Sequence, residues 1–597
     1  MRPLPLLLPL SFRFARHGAL RAAALAAAAV LFACGGSPAP APPAAPAPSQ
    51  NEPPDPPPAS PSPPVVGGLT ATPQGSQALH FAWPAVQGAS VLHLLEDPDG
   101  RSGYQAVAEL PPDATGAELA VLLPARLNAH YVLQACQGTL CTRSDPVAVD
   151  GAVLAQAIES LRPPQEGPME RYGQGVALSA NGNTLAVGAP AGSGAVYVYT
   201  RQAGAWSEPQ RLTAPHPDAF DQFGQSLALS ADGSVLAVGA PFESSASRRI
   251  NAGADDNNAP SSGAVHVYTR GPGGWVYEAY LKAGNADMQD WFGHSLALSP
   301  DGKQLYVGAP FESSASAATP QDNSAPNSGA VYRFEKTAAG WSQRDFLKAF
   351  EAKTEFFGYS LALAAQGQVL AVGAPYDANP APGTPSGAGG PMRVGAVYVF
   401  GATAAGGWQP AVRLNASNPE DDNIFGHSLA LSADGGTLVV GAPAESNSAL
   451  GIQPRPEADD RTAPYSGAAY VFVREAAGWA QKAYLKAFNA EADDRFGETV
   501  ALSADGTTLV VSAIQESSPA TGFNGDPGND PNDAALFAGA AYLFEHRGDW
   551  RASTYIKSSH TGFFDGFGVG LALSSDGTAL AVGAPFKYGY TGAVFLY

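Results

Sequence analysis

Carboxylates placed at repeating offsets are the residues of this chain most able to do chemistry. Glu243, Glu312, Asp377, Glu445 and Glu516 each fall two residues after a Gly-Ala-Pro tripeptide or its equivalent, and each opens a long polar insert. Four of those inserts carry further oxygen donors: Asp255, Asp256 and Asn257; Asp322 and Asn323; Asp459 and Asp460; Asp526, Asp530 and Asp533. Loops rich in side-chain oxygens can hold a hard cation or offer acceptors to the hydroxyls and amides of a ligand. Calcium wants about six to eight oxygens, and residues 524–533, with Asp526, Asp530 and Asp533, are the candidate metal segment, although they do not follow the EF-hand template. Nothing in the composition demands a cofactor. A second set, Glu170, Asp221, Asp290, Glu355, Asp494 and Asp565, stands two residues before an aromatic-Gly pair. A carboxylate there reads first as a brace that accepts hydrogen bonds from turn amides.

Catalytic signatures are missing. The chain has no H-E-x-x-H, no G-x-S-x-G and no P-loop, and its ten histidines are scattered. His294 and His427 share a slot two residues after their aromatics, where other copies hold Gln174, Gln225, Tyr359 and Glu498. Separated by whole repeats, they read as exposed loop histidines. The expectation is a protein that is not an enzyme. A formal net charge of −20 and a pI near 4.8 exclude nucleic acid as a partner, because a phosphate backbone needs a basic stripe.

The elements that must position these residues recur seven times. Each copy opens on an aromatic-Gly pair: Tyr172-Gly173, Phe223-Gly224, Phe292-Gly293, Phe357-Gly358, Phe425-Gly426, Phe496-Gly497 and Phe567-Gly568. A short strand, a tight turn such as Asp232-Gly233, a continuous apolar strand of the LAVGAP type, a third strand of the GAVYVF type and a fourth carrying YLKA complete the unit. Four strands per copy and no helical stretch between copies predict an all-β chain, a seven-bladed β-propeller preceded by a small β-sandwich. The seventh copy stops after its third strand, and Leu161 lies eleven residues before Tyr172, the spacing of the fourth strand elsewhere. The strand within residues 155–164 is therefore expected to close the ring of residues 155–597. Loops after the second and fourth strands leave on the same face, which predicts a carboxylate-rich crown, incomplete at repeats seven and one.

These motifs resemble the FG-GAP repeats that build the propeller of integrin α subunits. The resemblance implies ligand binding and adhesion. In that family the turn between the first two strands often binds calcium; here it is a two-residue hairpin, too short to wrap a cation.

Arg2, Arg13, Arg16 and Arg21 precede an Ala-rich apolar run, so residues 1–33 read as a signal peptide. Residues 31–34, Leu-Phe-Ala-Cys, resemble a lipoprotein cleavage box, with Cys34 lipidated; Phe32 departs from the usual small or aliphatic residue. Residues 34–64 are a Pro-rich tether. Residues 65–150 read as short alternating strands, and Trp83 and Tyr131 resemble the core Trp and tyrosine corner of fibronectin type III domains. Cys136 and Cys141 flank a turn and could bridge a hairpin in an oxidising compartment.

The expected protein is exported, lipid-anchored to the bacterial envelope, with outer-membrane delivery, and binds a protein or glycan on its loop face, with or without cations. An envelope-assembly scaffold is the alternative. A propeller hydrolase or lyase ranks third, for want of an acid–base constellation.

Overall fold

Why each repeat becomes a small sheet is clearest in repeat two. Ser226–Leu229, Val235–Ala240, Ala264–Gly271 and Gly274–Leu281 pair antiparallel in chain order. Asp232 closes the first turn: its Oδ1 accepts from the Ser230 hydroxyl at 2.6 Å and from the Ser234 amide at 3.0 Å. The second strand is buried from end to end, which is why its sequence is continuously apolar instead of alternating. The computed structural model describes residues 62–597 except 166–168, 203, 350–354, 379–392, 405, 410–411, 420–421, 457–459 and 528–534. Cys34 and the signal and tether segments up to residue 61 lie outside the described residues. Among the described residues helix is limited to Gly151–Gln156 and Lys587–Tyr590, apart from one 3-10 turn.

Every repeat gives one such sheet. In the last, Leu571–Leu573, Leu580–Ala584 and Ala593–Leu596 are joined by Glu159–Leu161, with Leu161 opposite Val594. Neighbouring sheets are stitched at three heights. Phe292 bridges Gly263 of the preceding repeat, the Ser226 hydroxyl donates to the Gly293 carbonyl at 2.7 Å, and the Ala231 amide donates to the Pro300 carbonyl at 2.9 Å. The stitching returns on itself, because Tyr172 bridges Gly592 and the Asp576 amide reaches the Ala180 carbonyl at 3.2 Å. Close approach explains the Gly of the GAP tripeptide: a Cβ on Gly239 would lie 2.2 Å from the Gly293 oxygen. The innermost strands line an axial channel. At the end bearing the Asx-Gly turns, Leu178, Leu229, Leu298, Leu363, Leu431 and Leu502 surround a cavity of about 180 Å³.

The preceding domain is two sheets. Thr70–Pro73, Ala78–Ala82 and Gly116–Ala120 form one; Gln105–Leu110, Val91–Asp97, His130–Gln137 and Leu140–Arg143 form the other. Leu79, Phe81, Trp83, Leu92, Tyr131 and Leu133 fill the core between them. Cys136 and Cys141 face each other in the terminal hairpin and are joined by a disulfide. The domain rests on repeats six, seven and one. Leu122 and Ala125, around the short 3-10 turn Leu123–Arg126, share a core with Val510, Ala541, Ile556 and Tyr597. A cleft of about 540 Å³ remains at this junction, with Glu96, Arg126, Asp505, Arg547 and Asp576 among its walls.

Candidate functional site: the loop face and channel mouth

The insert-opening carboxylates do not face solvent, contrary to the expectation of a carboxylate crown. Glu243, Glu312, Asp377, Glu445 and Glu516 are all buried. Each meets a cation from the end of its own fourth strand: Glu243 with Lys282 at 2.8 Å, Glu312 with Lys348 at 2.7 Å, Asp377 with Arg413 at 2.9 Å, Glu445 with Lys486 at 2.9 Å and Glu516 with Lys557 at 2.6 Å. Further donors and acceptors complete each pair. Around Glu243, Tyr280 donates its hydroxyl at 2.9 Å, while Lys282 also donates to the Ser262 hydroxyl and the Gly263 carbonyl. The physical reason for the inward turn is charge compensation: a carboxylate enters the interior only with a counter-ion and filled lone pairs. Burial pulls the Lys282, Lys348, Lys486 and Lys557 ammonium groups below the usual lysine range, with the carboxylates opposing it. These five residues brace the inserts and are unavailable to a ligand.

The chain itself records the pairing. Repeat one has neither partner, with Gly192 in the carboxylate slot and Thr213 in the lysine slot; repeat seven carries Lys587 and Arg162 there, and Lys587 turns to Asp565 at 2.5 Å. In-phase comparison of the repeats therefore holds a signal that reading the inserts alone misses.

The later insert acids are braces too. Asp256 accepts from the amides of Ala246 and Asn258, Asp322 from Ser324, and Asp460 from Ser448 and Thr462. Asp255 makes an exposed ion pair with His216 at 2.7 Å. Asp459, Asp530 and Asp533 lie outside the described residues, so the Asp526 cluster is not described as a whole. Among the described residues no group of three His, Cys, Asp or Glu side chains is placed to hold a metal ion.

Of the carboxylates before the aromatic, all but the half-buried Glu170 are buried. Asp221, Asp290, Asp494 and Asp565 accept from the amides of Asp218, Asp287, Glu491 and Gly562 at 3.1, 2.9, 2.7 and 2.8 Å. Burial pushes their carboxyls up, to about 6 for Asp221 and about 8 for Asp290 and Asp494, against the lowering effect of those amides. Repeat five places the neutral Asn423 in this slot.

The channel mouth is where side chains remain available. Residues immediately before the aromatic-Gly pair hold left-handed backbone: Arg171 (φ 55°), Gln222 (56°), Trp291 (56°), Phe356 (53°), Ile424 (48°) and Arg495 (59°). This conformation costs about 1–2 kcal/mol for a residue with a Cβ, and only repeat seven relieves it, with Gly566. Six side chains are thus kept where glycine would be easier. Over repeats two to four they join the residues after GAP in an unbroken arc, Phe242–Trp291–Phe311–Phe356–Tyr376, with ring centroids 4.8, 4.2, 4.7 and 4.8 Å apart. All five rings are partly exposed.

Inside the arc the post-aromatic slots come together. His294 stacks against Tyr359 at 4.7 Å, Tyr359 against His427 at 5.0 Å, and His427 Nε2 lies 3.2 Å from Glu498. Reading His294 and His427 as unrelated exposed histidines is therefore corrected: both are half-buried members of one polar row. Burial, then the charge of His427, pulls His294 down to about 4, so it is a neutral imidazole at physiological pH. Burial alone would raise the Glu498 carboxyl, but the charge and hydrogen bond of His427 carry it below the usual range. The resulting surface sets an aromatic arc beside a hydrogen-bonding row. It can stack on planar or apolar faces while exchanging hydrogen bonds with polar edges.

Solved structures similar to the chain include the hydrazine synthase of Kuenenia stuttgartiensis, 12% identical over 73% of this chain and 96% of that one with a TM-score of 0.40. The β-propeller domain of Myceliophteria thermophila Cps50 (Swd1) is 11% identical over 73% and 98%, with a TM-score of 0.42. No curated protein matches the chain significantly. The repeats themselves carry the family signal: residues 206–268, 408–472 and 479–544 match the FG-GAP repeat.

Proposed function

We propose that this is a non-catalytic binding protein whose seven sheets act as a seven-bladed FG-GAP propeller behind a fibronectin type III-like sandwich, and whose loop face engages a protein or a glycan. In this reading the chain is exported and reaches the envelope through lipid on Cys34; among the described residues no helix is long and apolar enough to cross a membrane. The observation that supports it best is the aromatic arc, partly exposed and held on left-handed backbone beside a polar row. A rigid frame that keeps costly side chains at its channel mouth is suited to recognition. The five insert-opening carboxylates have no part in it, since their oxygens are committed to buried cations.

Binding of the full chain to immobilised glycans and envelope proteins, compared with a Trp291→Ala/Phe356→Ala variant, tests this. Affinity is expected to fall by about tenfold or more, as for aromatic anchors at interfaces, with the melting temperature little changed. Equal binding by both chains would overturn the reading.

A further inference from the structure

We infer that the rim sector built by repeats seven and one is a docking surface for a protein partner presenting carboxylates beside apolar side chains. The inference rests on the loop-face reading above and assigns it a second, separate sector.

In repeats two to six, long inserts follow the second strand. Repeats seven and one have only short links there, residues 586–591 and 191–193. On this open sector large apolar side chains stand in solvent: Phe220 is 79% exposed, Met169 64%, Phe563 63%, Tyr588 44% and Tyr590 41%. They lie along one hydrogen-bonded arc. The Phe586 amide meets the Asp565 carbonyl at 3.3 Å, the Arg171 amide meets the Tyr590 carbonyl at 2.9 Å, the Ala191 amide meets the Glu170 carbonyl at 3.4 Å, and the Phe220 amide meets the Gly192 carbonyl at 2.8 Å. Large apolar side chains exposed together on neighbouring, hydrogen-bonded loops of a folded chain mark an interaction site.

Two features identify the partner. Residue types come first: Phe, Tyr, Met and Arg are those enriched at the centre of protein interfaces, where Lys, Glu and Asp are scarce. Met169, Phe220, Tyr588 and Tyr590 also sit on left-handed backbone, with φ of 62°, 76°, 55° and 71°, so their rings are presented by tight, pre-ordered turns. Charge comes second. On a chain of net charge −20, the described residues of this sector present Arg162 and Arg171 to solvent, while Asp218, two residues before Phe220, accepts from the Asn257 side-chain amide at 3.0 Å. Arg162 lies 3.8 Å over the Tyr588 ring, and Arg171 makes no side-chain ion pair among the described residues. An acidic, apolar protein segment complements that combination, whereas an anionic lipid surface is repelled by the rest of the molecule.

Random peptides displayed on phage, panned on the full chain, supply the probe. Selected peptides are expected to carry Asp or Glu next to aromatic or branched aliphatic residues. Their affinity should fall at least about tenfold for Phe220→Ser/Tyr590→Ser and for Arg171→Glu, and hold for Trp291→Ala/Phe356→Ala. No enrichment, peptides without acidic residues, or affinity unmoved by Arg171→Glu would each overturn the proposal. So would Phe220-dependent sedimentation with phosphatidylglycerol vesicles. Loss of selected peptides only in the Trp291/Phe356 variant would leave the loop-face reading standing and remove this sector alone.

Discussion

Burial decides which of the acidic residues matter. Asp255 and His216 are 78% and 57% exposed at the side chain, and an ion pair so placed contributes about 0–1 kcal/mol. Glu445 and Lys486 are fully enclosed. Removing one member leaves an uncompensated charge in the interior, so Glu445→Ala is expected to cost about 3–5 kcal/mol, while Glu445→Leu with Lys486→Met recovers most of it. Urea unfolding of the three chains measures both effects, and a Glu445→Ala chain as stable as the parent would show the pair to be dispensable. The loop-capping aspartates predict a pH effect of defined sign. Asp290 and Asp494 titrate near 8 when folded, against 3.8 for the free side chain. Below the lower value both states are protonated and there is no penalty. As pH rises towards the upper one, the unfolded chain ionises while the folded chain keeps its protons, and stability is lost. Asp290→Asn/Asp494→Asn, which copies Asn423, should therefore gain on the parent progressively between about pH 4 and 8. Parallel stability curves would contradict the assignment.

Among the elements, the segment Glu159–Leu161 is held to Ala593–Leu596 by three residue pairs. Leu161 packs with Tyr172, Leu185, Val594 and Leu596. Leu161→Asp sets a carboxylate against an apolar cluster in a half-buried position and frees the edge of the last strand, so the variant is expected to melt earlier and to self-associate. Melting and size-exclusion chromatography together check this; an unchanged monomer would mean that the circle holds without the clasp. How much was legible at this scale follows from what repeats in the chain. The strands could be read because each copy restates the same turn chemistry, Asp232-Gly233 or Asp301-Gly302, between the same apolar runs. The ion pairs could not be read from one insert, since Glu445 follows the second strand of its sheet and Lys486 follows the fourth. The channel mouth was hidden for a related reason. His294, Tyr359, His427 and Glu498 are a full repeat apart in sequence, and only the packing of each sheet on the next sets them side by side.

At the scale of the whole molecule, the domain of residues 65–150 is placed to act as a clamp on the repeats. It touches the two repeats that flank the closing strand as well as the repeat that receives it. Arg126 lies 2.7 Å from Glu96 in its own domain and 4.0 Å from Glu545 in repeat six; Asp99 lies 4.0 and 3.9 Å from Arg547 and Arg551. Thr554 donates to the Pro124 carbonyl at 2.5 Å, and the Ser76 amide donates to Glu159 on the closing strand at 3.2 Å. Those polar contacts flank the apolar seat of Leu122 and Ala125, which are 3% and 6% exposed. Domains joined by a buried apolar seat unfold together, whereas domains joined by a polar contact alone move and melt separately. A single calorimetric transition is therefore expected for the full chain. Leu122→Glu should split it, with the domain of residues 65–150 and the repeats melting apart and the repeats melting earlier than in the parent, since the closing strand loses its outer support. Two transitions already present in the parent would show that the domain rides on the ring without holding it.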